Sequence, residues 1–251
     1  MSGHSKWSSI KHKKGAADAK RGKLFSKLTR AIIVAAREGG PDPAGNLALQ
    51  NAVEKARSYS MPKDNIDRAI AKGSGADADQ SQFETVVYEG FGPSGVAVIV
   101  EALTDNRNRT AAEVRHTFAK SDGNLGGSGA VAWLFERRGV VLVDAAGADE
   151  DELTLAAAEG GAEDVALDGS SYVVTAAPEQ LSTVRAAVES AGFTIDSSEL
   201  TMVPKTTVEV EDESDAKKIL RLIDELEDND DVQEVFANFD IPERVLESVA
   251  G

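Results

Sequence analysis

The sequence predicts a multidomain α+β protein: an N-terminal three-helix bundle, then two ferredoxin-like α+β domains, one inserted into the other. Three observations in the 251-residue chain predict it. Apolar residues recur with a helical period over the first 75 residues, and the period changes to two after the small, polar stretch GSGADADQSQ at 73–82. Residues 139–203 then follow the order β-α-β-β-α-β, which is that of a ferredoxin-like sandwich. The length suits two or three domains. They are 1–75, 83–135 together with 205–251, and the insertion 139–204.

Each element has its own signal. Residues 1–14, MSGHSKWSSIKHKK, lack an apolar period and form a flexible arm. A helix runs from Ala16 to Arg37 and stops at Gly39-Gly40-Pro41. Helices follow over 44–59 and 62–72, with Pro62 in a first turn and Gly73 as a C-terminal cap. Strands at 84–89 and 96–103 flank the turn composition GFGPSG. A helix over 108–120 places Ala111, Val114 and Phe118 on one face, ahead of the Gly-rich stretch 123–129, expected to be a mobile connector, and the apolar run AVAWLF. In the insertion, GVVLV is a strand and 149–159 a helix. Residues 162–167 and 171–176 form a hairpin about Asp168-Gly169, and Pro178 opens a helix that leads to a strand at 193–203. A final β-α-β, with strands at 206–211 and 231–239 and a helix at 214–227, completes the outer sandwich.

Charge is segregated along this plan. The formal net charge is −16, yet residues 1–75 carry +9 and residues 76–251 carry −25. Residues 1–37 hold ten basic residues and one acid, Asp18. A basic module on an acidic body points to a polyanion partner, because an ordinary solvated surface mixes the two signs.

Within the module, Lys23, Lys27, Arg30 and Arg37 fall within about 80° of one another on the first helix. Leu24, Leu28, Ala31, Ile32 and Ala35 form an apolar stripe roughly 140° away. The cationic side contains no Glu as an i,i+4 partner, unlike a merely solvated face. Such a row matches the spacing of phosphates, whose neutralisation releases counterions. Lys20 and Arg21, just before this row in the sequence, are also expected to contact nucleic acid. In the arm, Lys6, Lys11, Lys13 and Lys14 lie among Trp7, His4 and His12, a mixture suited to phosphate contact and base stacking, although Trp7 would equally dock on the bundle. A second basic group, Arg107, Arg109 and Arg115 with His116 and Lys120, lies on and before the helix at 108–120. Asp105, Asn106 or Asn108 caps that helix, whose N-terminal amides suit an anion. Each arginine alone reads rather as a structural partner of an acid of the body, whereas the cluster as a whole points to binding.

Other functions are disfavoured. Cysteine is absent, which excludes disulfides, thiolate catalysis and Cys-based metal sites. Three histidines without ligand spacing give no metal site. GFGPSG matches G-x-G-x-x-G but precedes a strand rather than a helix, so it is not a dinucleotide site. The chain has no P-loop and no nucleophile elbow. Its acidic runs read as solvated faces. We expect no enzymatic activity, no cofactor, no membrane segment and a cytoplasmic location. Nothing in the sequence requires an oligomer.

The runs GHSKWSSIKHKK, DAKRGKLFSKLTRAI, PDPAGNLAL, MPKDNIDRAI, YEGFGPSGVAVIVEALTDNRNRT and VRHTFAKSDGNLG…GAVAWLFERRGV resemble the YebC/PmpR family. That family includes the mitochondrial translational activator of cytochrome c oxidase. The resemblance is nearly continuous from Gly3 to Gly139 and looser beyond. It departs at Tyr59-Ser60, where the family often has Asn before Met, and at Ser121-Asp122, where a Gly is common. It implies a helical N-terminal domain and two α+β domains, one inserted in the other. It also implies either transcriptional regulation through promoter DNA or ribosome-associated assistance to translation of proline-rich stretches. The expected function is a nucleic-acid-binding regulator of gene expression, acting on DNA through the basic N-terminal domain. A translation factor bound to ribosomal RNA or tRNA is the alternative, and an acidic protein-interaction adaptor is the reading from another class.

Overall fold

The computed structural model describes residues 18–75 and 83–250, so the expected arm and most of the expected linker lie outside the described residues. It contains two compact units. One is the continuous segment Phe135–Lys205, and the other comprises the chain before and after it.

The second unit begins with α1 (Asp18–Gly39), α2 (Leu47–Ser58) and α3 (Lys63–Ser74). Their apolar stripes meet in a core of their own, including Leu28, Ile32, Leu49, Val53, Met61 and Ile66. Asn46 ties the helices together. Its side-chain oxygen caps α2 by accepting from the Leu49 amide at 3.1 Å, and its amide nitrogen donates to the Ala35 carbonyl at 2.7 Å. Gly73 lies inside α3 rather than capping it. A Cβ there would sit 2.4 Å from the Ile33 carbonyl, so glycine is what lets α3 close on α1.

The chain continues through β1 (Glu84–Phe91), β2 (Ala97–Thr104), α4 (Arg107–Lys120) and β3 (Asn124–Leu125). It then enters the inserted unit: β4 (Phe135–Asp144), α5 (Glu150–Glu159), β5 (Ala162–Asp168), β6 (Ser171–Ala176), α6 (Leu181–Ser190) and β7 (Ile195–Pro204). It returns with β8 (Val208–Glu209), α7 (Glu213–Glu227), β9 (Val232–Ala237), β10 (Phe239–Asp240) and α8 (Glu243–Ala250).

The inserted sheet has the order β5-β6-β4-β7 with antiparallel neighbours, the ferredoxin-like order. Val141, Val143, Leu153, Val174, Val184 and Val188 form its core. The outer sheet departs from that order. Its strands run β3-β1-β2-β9, so the β1–β2 hairpin is central and each edge strand follows a helix. The segment 206–211, expected as one of its strands, contributes only β8, which pairs in parallel with β10 outside the four-stranded sheet. Helix α8 was not expected, and it adds Val245 and Leu246 to a core built from β1, β2, β9, α4 and α7.

The stretch 123–129 is not a mere connector. Asn124-Leu125 pairs with β1 at Gly90 and Phe91. A Cβ at Gly90 would meet the Asn124 carbonyl and the Phe118 ring, both at 2.7 Å. Glycine in the GFGPSG turn therefore serves close approach of this edge strand, and the motif joins two strands as expected of a hairpin.

Candidate nucleic-acid interface

Helix α1 presents its cations as a row, and within the same unit that row meets acceptors from the chain itself. The Lys27 ammonium donates to the Glu227 carbonyl, and Lys23 to the Asp228 carbonyl at 3.3 Å. These are carbonyls at the C-terminal end of α7, which lack intrahelical partners and carry the negative end of the helix dipole. Arg30 donates to the carbonyls of Asp230 at 2.8 Å and Leu103 at 3.2 Å, and to the Asp231 carboxylate at 3.1 Å. Its guanidinium lies 4.8 Å from the centre of the Phe83 ring, a cation–π distance. Arg37 donates to the Phe83 carbonyl at 2.7 Å. From α2, Lys55 pairs with Glu234. Burial pushes the Lys27 ammonium down to about 8, against the opposing pull of Glu227, Asp230 and Asp228, with Lys23 adding to the fall.

The second basic group is organised around Asp231, which is 5% exposed. Its carboxylate accepts from Arg109 at 2.6 Å, Thr110 at 2.7 Å and Thr104 at 3.1 Å, besides Arg30. Burial pushes its carboxyl up, but the arginine and the hydroxyls outweigh that and hold it below the usual aspartate value. Of the three candidate caps, Asn106 caps α4, accepting from the Arg109 amide at 3.1 Å. Asp105 pairs with Arg109 at 2.9 Å. The anion that the N-terminal part of α4 was read to attract is thus supplied by the protein. Arg107 and Arg115 are exposed.

A third self-supplied anion is Glu89, 6% exposed on β1. Its carboxylate accepts from the amides of Gly129 and Val131 at 2.7 Å and of Ala132 at 2.8 Å. Burial raises its carboxyl, and these three amides more than reverse the effect, leaving it below the usual carboxylate value. The Gly-rich loop is therefore a cradle for a carboxylate already in the chain. Beside it, Trp133 is 66% exposed, with its indole nitrogen donating to the Ala130 carbonyl at 3.2 Å.

Of the residues predicted to contact nucleic acid, the structure brings Lys23, Lys27, Arg30, Arg37 and Arg109 to one seam. The expectation that the cationic side of α1 is an open row is corrected at this point: it is engaged with the end of α7 and with Asp231. Lys20 and Arg21 lie in the first turn of α1. Lys6, Trp7, Lys11, His12, Lys13 and Lys14 lie outside the described residues. Sequence reasoning missed Asp231, Glu89 and Trp133. The only signal for Asp231 was the crowding of seven acids and no base into 222–234. Among the described residues, no helix is long and apolar enough to cross a membrane.

Comparison with known proteins adds to this geometry. Residues 5–76 match the profile described as the TACO1/YebC protein N-terminal domain, and residues 83–239 that of the TACO1/YebC second and third domain. A "probable transcriptional regulatory protein" of Rubrobacter xylanophilus is 59% identical over the whole of both chains. One of the same description from Desulfotalea psychrophila is 54% identical, again over the whole of both. A crystal structure of a conserved hypothetical protein from Aquifex aeolicus superposes with a TM-score of 0.80 at 51% identity, covering 90% of this chain and 93% of that one.

Proposed function

The chain belongs to the TACO1/YebC family, and from that premise we propose that it is a non-enzymatic regulator of gene expression that binds duplex DNA through its basic N-terminal segment. The observation that carries this reading is the charge segregation: ten basic residues and one acid in 1–37, on a body whose net charge repels polyanions. Lys23, Lys27, Arg30 and Arg37 are engaged within the chain, so first contact with phosphates falls to Lys6, Lys11, Lys13, Lys14, Lys20 and Arg21. The exposed Arg107 and Arg115 add a second patch. Little in this basic set reads base edges, so binding is governed by phosphates and only modestly selective for sequence.

A second reading, a translation factor on ribosomal RNA, is favoured by Trp133. An exposed ring on a turn held by Glu89 suits stacking on an unpaired base, which duplex DNA does not offer.

Competition titration of a labelled promoter-like duplex against random duplex and ribosomal particles, at several salt concentrations, separates the two. If about half of the ten basic residues reach phosphates, the slope of log K against log salt is roughly −4 on duplex DNA. Charge reversal at Lys13, Lys14, Lys20 and Arg21 then lowers affinity on every duplex alike. Salt-insensitive binding overturns both readings. Tighter, more salt-resistant binding to ribosomes, reduced by Trp133→Ala, replaces the first with the second.

A further inference from the structure

We propose that the seam between the helical bundle and the outer sheet is an autoinhibitory contact, in which the acidic end of α7 occupies the cationic row of α1 until a polyanion displaces it. The proposal rests on the reading above that the basic segment binds nucleic acid, and it assigns to that segment a closed and an open state.

Three observations carry it. The contacts across the seam are chiefly those a phosphate backbone would replace: ammonium and guanidinium groups of Lys23, Lys27 and Arg30 on carbonyl and carboxylate oxygens of residues 227–231. Lys55 on Glu234 continues the same pattern from α2. Cations facing oxygen acceptors are satisfied equally by the body or by a polyanion, which makes the two mutually exclusive.

The seam is also not packed as a core. The bundle and the outer sheet have separate apolar cores. Between them lies a cleft of about 250 Å³, lined by Leu24, Leu28 and Ala31 on one side and by Glu101, Leu103 and Gln233 on the other. Protein interiors leave few gaps larger than a water molecule, so the two surfaces meet at a charged margin rather than by interdigitation. The Gln233 amide nitrogen is buried with no acceptor among the described residues. A contact built in this way separates at less cost than either core.

Finally, the acid is concentrated where the cations are. Residues 222–234 hold seven acids and no base. The chain passes from bundle to body once, between residues 75 and 83, so opening breaks no sheet.

The test uses the full chain with Asp228→Asn and Asp230→Asn, both exposed, and Glu234→Gln, half-buried against Lys55, which leave the α1 cations and the buried Asp231 intact. Its control, Glu209→Gln with Glu211→Gln and Glu213→Gln, removes the same charge at the other end of α7, about 20 Å away and beyond a Debye length. The readouts are affinity for a random 20-base-pair duplex and the distance between spin labels at Ser58→Cys and Lys217→Cys, placed in this cysteine-free chain. The seam variant is expected to bind at least threefold more tightly than the control, and the label distance to shift on adding duplex. Equal affinities of seam variant and control, or an unchanged distance in the duplex complex, overturn the proposal. Should the distance stay fixed while charge reversal at Lys13, Lys14, Lys20 and Arg21 still abolishes binding, the autoinhibition fails and the binding reading stands. Unchanged affinity in that reversal removes the binding reading itself.

Discussion

Lys27 and Asp231 hold opposite charges across one seam, and both are shifted by burial and by neighbours. Lys27 falls to about 8 in the folded protein from an ordinary 10.5. The unfolded chain therefore binds more protons between these values, and stability from this residue rises as pH increases from about 8 to 10.5. An NMR titration of the Lys27 side chain is expected to show a midpoint near 8, and an ordinary midpoint would mean that the ammonium is not packed on α7. Asp231 behaves in the other sense. Its lowered folded value gives stability that is fully present above the ordinary aspartate range and is lost as pH falls through the folded value. Asp231→Ala leaves Arg109, Arg30 and two buried hydroxyls without their carboxylate, and is expected to cost about 1–3 kcal/mol in denaturant unfolding, since the two guanidiniums remain reachable by water. Two further residues carry backbone strain of their own. Ser60 and Asp122 both have left-handed backbones, at φ 59° and 57°, which favour Asn and Gly. Ser60→Gly should raise stability by about 0.5–1 kcal/mol, the relief of the left-handed strain exceeding the added freedom of the unfolded chain. A drop in melting temperature would refute the strain argument.

Helix α1 shows how one element carries two assignments. Its apolar stripe builds the bundle, and its cations meet the body. Leu28→Asp buries a charge in the bundle core and should unfold α1–α3 at a cost of several kcal/mol. The triple Lys23→Ala, Lys27→Ala, Arg30→Ala should leave helical content unchanged, since none of the three belongs to that core. Circular dichroism separates the outcomes, and melting of the triple variant would mean that the seam holds the bundle together. The loop after β3 depends on a single carboxylate. In Glu89→Gln the amides of Gly129, Val131 and Ala132 lose an ionised acceptor, worth about 2 kcal/mol or more. Hydrogen exchange should accelerate at those three amides and little elsewhere. Both elements expose the limit of local patterns: the period of α1 located its cationic side correctly but not what covers it.

At the scale of the whole molecule, the inserted unit is tied to the rest at two adjacent points. Phe135 and Pro204 are antiparallel partners at the start of β4 and the end of β7, so their Cα atoms lie about 5 Å apart. Excising Phe135–Lys205 and joining Leu134 to Thr206 by a short Gly-Ser linker should leave the remaining unit folded, with its own cooperative melt. Loss of that melt would show that the insertion supports the outer sheet. The shortened protein should retain its duplex affinity, because the proposed contacts all lie outside the insertion.

The amino-acid sequence by itself determined the helical bundle, the ferredoxin-like order of the insertion and the charge segregation, because period, caps and turn residues act over a few neighbours. Asp149 caps α5 through the amides of Asp151 and Glu152, and Gly169 takes the left-handed turn between β5 and β6, as local chemistry requires. Only the tertiary structure decided what faces each charge. Lys27 meets a carbonyl 200 residues away, Asp231 collects partners from α1, β2 and α4, and Glu89 fills a loop some 40 residues on. A charge carries no period and no local partner rule. Its partner is set by which surfaces packing brings together, so the α1 cations Lys23, Lys27, Arg30 and Arg37, which read as open to a polyanion, are in the fold matched by anions and carbonyls of the same chain.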